Sequence, residues 1–141
     1  MDTSGRGALD LAVALREAHF RLRALARSWE EALPGGRVLE RRPLGPSWSY
    51  DEAPDQAAYG DGQAVQLDER SVLLCELAVN FRAAGVDMAA RITLETDGED
   101  CVDLLATGPL EFPDSSDDLV REIRRCLASL EQADLTAVLT G

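Results

Sequence analysis

The chain carries one histidine, His19, and three cysteines, Cys75, Cys101 and Cys126. Thiol catalysis needs a base within hydrogen-bond reach and a third group to orient that base. Nothing in the spacing of these four residues assembles such a set. The cysteines stand in separate apolar contexts, with no C-x-x-C pair and none of the spacings that clamp zinc. They read as reduced, mostly buried thiols, because free cysteine is among the most buried residue types. His19, between Ala18 and Phe20, reads as structural, and one histidine cannot make a histidine-rich metal site.

Arg16, Arg23 and Arg27 recur at steps of seven and four, close to one side of a helix, with Arg21 nearby. Such a stripe can hold a phosphate or carboxylate partner through forked hydrogen bonds. It can equally be a solvated face with local pairs such as Glu17–Arg21 and Arg27–Glu31. Trp48, Tyr50 and Tyr59 place three of the seven aromatic residues close together. Aromatic side chains outside a regular core serve as contact anchors, since they bury large area with few rotamers, or fold back as a small satellite core.

The acidic groups Asp97, Glu99, Asp100 and Asp103, and Asp114, Asp117 and Asp118, lack the alternating ligands, central glycine and closing glutamate of a calcium loop. The first reads as a solvated turn and the second as a helix cap. Glu76 with Glu95 or Asp103 are the nearest paired carboxylates, without a sign of perturbed acidity. Gly60-Asp61-Gly62 lacks the rest of a dinucleotide fingerprint, and no P-loop or G-x-S-x-G is present. No catalytic residue, metal ligand or cofactor is assigned, and the balance leans away from an enzyme.

All 14 basic residues are arginine against 26 acids, a net charge of −12. Phosphate binding draws affinity from clustered positive charge, so nucleic acid and anionic membrane surfaces are disfavoured as partners. Residues 1–42 hold eight arginines against six acids, whereas residues 43–141 hold six against twenty. A mildly basic N-terminal helix thus precedes a strongly acidic remainder. The 141 residues, 45% hydrophobic, suit a single domain spanning 1–141. Neither a membrane-spanning run nor a signal peptide is legible, which points to a cytoplasmic protein.

The elements that must position these residues follow from periodicity. Leu11, Leu15, Ala18, Leu22, Leu25, Trp29 and Leu33 form one stripe of an amphipathic helix ended by Pro34-Gly35-Gly36. Arg37–Arg42 and Ser47–Tyr50 read as short strands. Asp51–Gln63, rich in Asp, Pro, Gly and Ala, reads as a mobile surface loop with one helical turn at Asp55–Tyr59. Ala64–Asp68 reads as a strand. Leu73, Cys75, Leu77, Val79 and Phe81 alternate with polar or smaller residues, as do Val86, Met88, Ala90, Ile92 and Leu94. A turn at Ala84-Gly85 pairs the two runs as a hairpin, Phe81 with Met88 and Leu77 with Ile92. A three-residue turn at Gly98–Asp100 leads to a strand with Val102, Leu104 and Ala106 inward, and Leu110–Pro113 continues as a ragged edge strand. Leu119, Ile123, Cys126, Leu127 and Leu130 stripe a second helix, and Leu135 and Val138 pack from a final turn.

The expected fold class is α+β: a long N-terminal helix, an antiparallel meander sheet of about five strands and a C-terminal helix, both helices on one face of the sheet. The expected function is a non-catalytic protein-interaction module, an adaptor, secretion-type chaperone, or immunity or antitoxin-type protein. It presents an acidic surface and an aromatic loop to a protein partner of basic character. Its contact residues are expected among Trp48, Tyr50, Tyr59, Arg16, Arg23 and Arg27. One rival is a small-molecule binder or enzyme with a pocket between sheet and helices and Arg16 or Arg23 holding an anion. Another is a homodimer or other structural homo-oligomer, since the 4-3 spacing of the first helix also suits pairing between copies.

Overall fold

A computed structural model describes residues 4–33, 40–49, 56–82, 85–98, 100–112 and 116–140. The N-terminal stripe forms helix α1, Ser4–Ala32. Two short strands follow, β1 (Arg41–Pro43) and β2 (Ser47–Ser49), and then four long ones, β3 (Gln56–Gln66), β4 (Ser71–Arg82), β5 (Gly85–Thr96) and β6 (Asp100–Phe112). Helix α2 (Ser116–Gln132) and the short α3 (Thr136–Thr140) close the chain. The six strands form one antiparallel sheet in the order β1-β3-β4-β5-β6, with β2 beside β1 on the same edge of β3. The fold is α+β, as its alternating and helical patterns predict.

Burial explains why each element forms. The odd-numbered residues Leu73, Cys75, Leu77 and Val79 of β4 and the even-numbered Met88, Ala90 and Ile92 of β5 are buried on one face of the sheet. Leu15, Ala18, Leu22 and Leu25 of α1, and Ile123, Cys126, Leu127 and Leu130 of α2, join them in a single core. The two helices lie side by side on that face, tied at their exposed rims by Arg124 Nε to Glu17 (3.1 Å) and by Arg21 Nε to Glu131 (2.9 Å). Exposed pairs of this kind contribute little to stability, so apolar burial holds the helices down. Leu135 and Leu139 are buried at the end of the chain, with Val138 partly covered.

Several sequence-based expectations are corrected. The loop expected at Asp51–Gln63 is strand from Gln56 onward, which also removes the helical turn over residues 56–59; residues 51–55 lie outside the described residues. Local composition argued for a loop, but β3 is paired on both edges along most of its length, and tertiary pairing overrides weak strand propensity. The strand ends at Gln66 rather than Asp68. The β4–β5 hairpin closes at Arg82 opposite Gly85, so Phe81 faces Val86 and Leu77 faces Ala90, two residues off the expected register. Either register sets core against core, so alternation alone could not choose between them.

Strand β6 departs further. Two irregularities, opposite Met88–Ala90 and Ile92–Thr93, shift its facing, so Leu105 pairs with Ile92 and Thr107 with Ala90. Thr107 donates to the Ala90 carbonyl (3.3 Å) and lies 3.5 Å from Cys126 Sγ, beneath α2. Ala106 is therefore exposed instead of buried, and Val102 is 57% exposed, while Leu104 is packed partly against the core. The β5–β6 turn has three residues but spans 97–99, between paired Thr96 and Asp100. Its positive φ values fall at Asp97 and Gly98. Asp97 forks onto Arg70 rather than facing the other acids of its group. Pro34-Gly35-Gly36, residues 37–39, Pro113, Asp114 and Ser115 lie outside the described residues.

The three cysteines divide cleanly. Cys75 and Cys126 are buried and Cys101 is exposed, which corrects the expectation for Cys101. Burial pushes the Cys75 thiol up to about 12, far from the reactive thiolate form. Native protein at neutral pH is expected to take up one equivalent of a thiol reagent, at Cys101, and three only after unfolding, as read by intact mass. Labelling of Cys75 in the folded state would contradict the packing of β4.

Candidate functional site

The lone histidine meets a buried carboxylate. On β3, Tyr59, Asp61, Gln63 and Val65 point to the core face, because they pair with Val79, Leu77, Cys75 and Leu73 of β4. Asp61 and Gln63 are each only 3% exposed, two polar side chains beneath the edge of α1. His19 sits one position past the buried Ala18 and turns down toward that edge. Its Nδ1 lies 3.0 Å from Asp61 Oδ2. The Tyr59 hydroxyl is 3.2 Å from the same oxygen and 3.4 Å from the Leu15 carbonyl, and the Gly62 N–H donates to Asp61 Oδ1 at 2.8 Å.

Three donors thus converge on two oxygens, the arrangement that a carboxylate, acceptor at both oxygens, requires. Burial foremost, and then the charge of Asp61 and its hydrogen bond, raise the pKa of Tyr59 far above the usual phenol range, so its hydroxyl remains a donor. With Asp61 as acceptor, His19 carries its proton on Nδ1, and Nε2 has no partner among the described residues. No Ser, Thr or Cys there is bonded to the imidazole, so the pair lacks the nucleophile of an acyl-transfer triad.

Glycine lets the other wall come close. The segment joining β1 to β2 runs against β3, with Leu44 N–H donating to the Gly62 carbonyl at 2.9 Å. A Cβ on Gly45 would lie 2.7 Å from the Gly60 carbonyl oxygen, and one on Gly62 would lie 2.5 Å from that of Cys75. Both positions are sterically closed to any side chain, which is a use of glycine at a close backbone approach.

Two open clefts meet at His19 and Pro46. One, of about 440 Å³, is lined by Ala12, Leu15, Arg16, His19, Phe20, Pro46, Trp48 and Tyr59. The other, of about 450 Å³, is lined by His19, Arg23, Arg41, Pro43, Gly45, Pro46 and Gln63. Together they form a groove between α1 and the β1–β2 segment, mainly apolar and aromatic at one end, where Arg16 lies over Phe20, and cationic at the other, with Arg23 and Arg41. Trp48 packs edge-on to Tyr59 (5.1 Å between ring centres) and stacked on Phe81 (5.8 Å), yet remains 47% exposed. Across the groove Phe20 is 50% exposed, with the Arg16 guanidinium 5.7 Å from its ring centre.

The expected contact residues fall unevenly on this groove. Trp48, Arg16 and Arg23 line it; Tyr59 is buried in its floor as a core residue on a strand, not on a loop. Arg27 lines neither cleft, and Tyr50 lies outside the described residues. Arg16, Arg23 and Arg27 have no ion pair among the described residues, nor do Arg42 and Arg91, whereas Arg21, Arg41, Arg70, Arg82, Arg121, Arg124 and Arg125 do. Sequence reading missed Asp61, Gln63 and Phe20. The alternation Tyr59-Asp61-Gln63-Val65 was the available signal for the first two, masked by the intervening glycines.

Among the described residues no group of His, Cys, Asp and Glu could hold a metal ion, and no helix is long and apolar enough to cross a membrane. The fold and site define a small α+β domain with an aromatic, arginine-bearing groove. Comparison of the chain with protein-family models, curated proteins and solved structures yields no match.

Proposed function

We propose that this chain is a non-catalytic protein-interaction module, an adaptor, escort or immunity-type protein, working in the reducing cytoplasm and making its contact through the groove between α1 and the β1–β2 segment. The observation that carries this reading is the exposure of Phe20 and Trp48 on opposite walls of one groove. Large aromatic groups facing each other in water beside unpaired arginines are the composition of an interface centre, where aromatic residues and arginine dominate binding energy. The acidic remainder acts at longer range. A net charge of −12 draws a basic partner and orients it, and salt screens that attraction beyond about 8 Å at physiological ionic strength.

The test is capture of the native partner from cytosol by the full chain and by its Trp48→Ala and Phe20→Ala variants, read by mass spectrometry. Wild type is expected to retain one stoichiometric partner and each variant to lose it, while both variants remain folded with a cooperative thermal transition. The association rate is expected to fall about tenfold or more between low and physiological salt. Equal retention by wild type and variants would remove the groove from the interface. Equal rates at both salt concentrations would remove the steering.

A small-molecule-binding reading has one specific observation in its favour. A buried carboxylate holds an imidazole at the mouth of an apolar cleft, which is the few-polar-groups pattern of ligand pockets. Both clefts are open grooves along the surface, which favours a segment of a partner chain over an enclosed small ligand.

A further inference from the structure

Resting on the interaction reading above, we propose that the groove is selective for a short extended segment of the partner in which an acidic side chain lies a few residues from an aromatic or large aliphatic one. The charge and shape of the groove argue for this occupant. From Ala12 to Arg23 it follows twelve residues of α1, roughly 16 Å of helix axis, which matches about five residues of extended chain. One end offers Phe20 and Trp48 to an apolar side chain. The other offers Arg23, which has no carboxylate partner among the described residues although the chain holds nearly twice as many acids as arginines.

Arg16, Arg27, Arg42 and Arg91 also lack an ion pair among the described residues, and what singles out Arg23 is its place at the cationic end of the groove, beside His19 and Gln63. Arg41, at the same end, is already engaged by Glu30 at 3.5 Å, so Arg23 is the guanidinium free to fork onto an incoming carboxylate. Midway, His19 is held through Nδ1 by Asp61 and offers Nε2 to the segment. Asp61 does not repel the acidic group at close range in the open, because its side chain has no exposed surface and its charge is spent on His19, Tyr59 and Gly62. The buried Gln63 amide lies at the cationic end and can complete the contacts of a backbone peptide group.

The experiment is a titration of the full chain with blocked pentapeptides, followed by Trp fluorescence and by amide NMR shifts. The reference peptide carries Phe and Asp two residues apart; its controls replace Asp with Asn, Asp with Lys, or Phe with Ala. The reference is expected to bind about tenfold more tightly than its Asn control, with shifts confined to α1 and β1–β3. Arg23→Gln is expected to erase that tenfold preference while leaving the melting temperature unchanged. Trp48→Ala is expected to weaken the Asp and Asn peptides alike.

Equal affinity for Asp, Asn and Lys peptides, or a preference that survives Arg23→Gln, would overturn the proposal. Failure of every peptide to bind at millimolar concentration, with partner capture still dependent on Trp48 and Phe20, would overturn the acidic-segment proposal and leave the interaction reading standing. Partner capture indifferent to both aromatic residues would overturn the two together.

Discussion

Asp61→Ala is expected to lower the free energy of unfolding by about 3 kcal/mol. The carboxylate is buried and accepts from His19, Tyr59 and Gly62. Its loss leaves the Gly62 N–H buried without an acceptor, since that backbone group cannot turn elsewhere within the sheet. Tyr59 can fall back on the Leu15 carbonyl at 3.4 Å, and His19, partly exposed, can turn to water. Asp61→Asn keeps the shape but sets an amide NH₂ toward a donor, so about half the loss is expected. Urea denaturation with an unchanged m value checks both. A loss below about 1 kcal/mol for Asp61→Ala would mean that water replaces the carboxylate, and that the imidazole is not held from beneath.

The second large effect is a contrast between neighbours on α1. Leu22→Ala is expected to cost about 3 kcal/mol, because Leu22 is 1% exposed at the centre of the helix–sheet core and its truncation leaves a cavity. Phe20→Ala, two residues away, is expected to cost less than about 0.5 kcal/mol, since half of the ring already faces water. The larger side chain thus contributes less to folding. If Phe20→Ala instead destabilised the fold by 2 kcal/mol or more, the ring would be a structural cover for His19, which it meets edge-on at 5.4 Å. The case for a partner surface would then rest on Trp48 alone.

Much of the architecture was legible because periodicity reports burial directly. The stripe from Leu15 to Trp29 in α1, the five buried positions of α2 and the alternation in β4 and β5 all follow from one apolar face meeting one core. Register was less legible. A two-residue slip preserves the facing of every side chain, so β4 and β5 carried no preference between the expected pairing and the observed one. Irregularities in β6 were invisible for a related reason: an extra residue exchanges inside for outside along the stretch beyond it until the second irregularity restores the phase, and Leu104-Leu105 reads equally well either way.

The candidate site was half legible. Arg16, Arg23 and Trp48 were marked by their types and spacing, without any indication that they share one groove. His19 was visible only as a lone histidine, and Asp61 only as part of a Gly-rich turn, because their meaning lies in a 3.0 Å contact across 42 positions of chain. By itself the sequence determined the α+β class, the two helices, the central strands and the charge balance, since hydrophobic period and composition are local properties of the chain. Tertiary structure alone decided that residues 56–63 are strand, that a carboxylate lies beneath α1, and that Arg16, Arg23 and Trp48 line one groove, since pairing and burial depend on segments far apart in sequence.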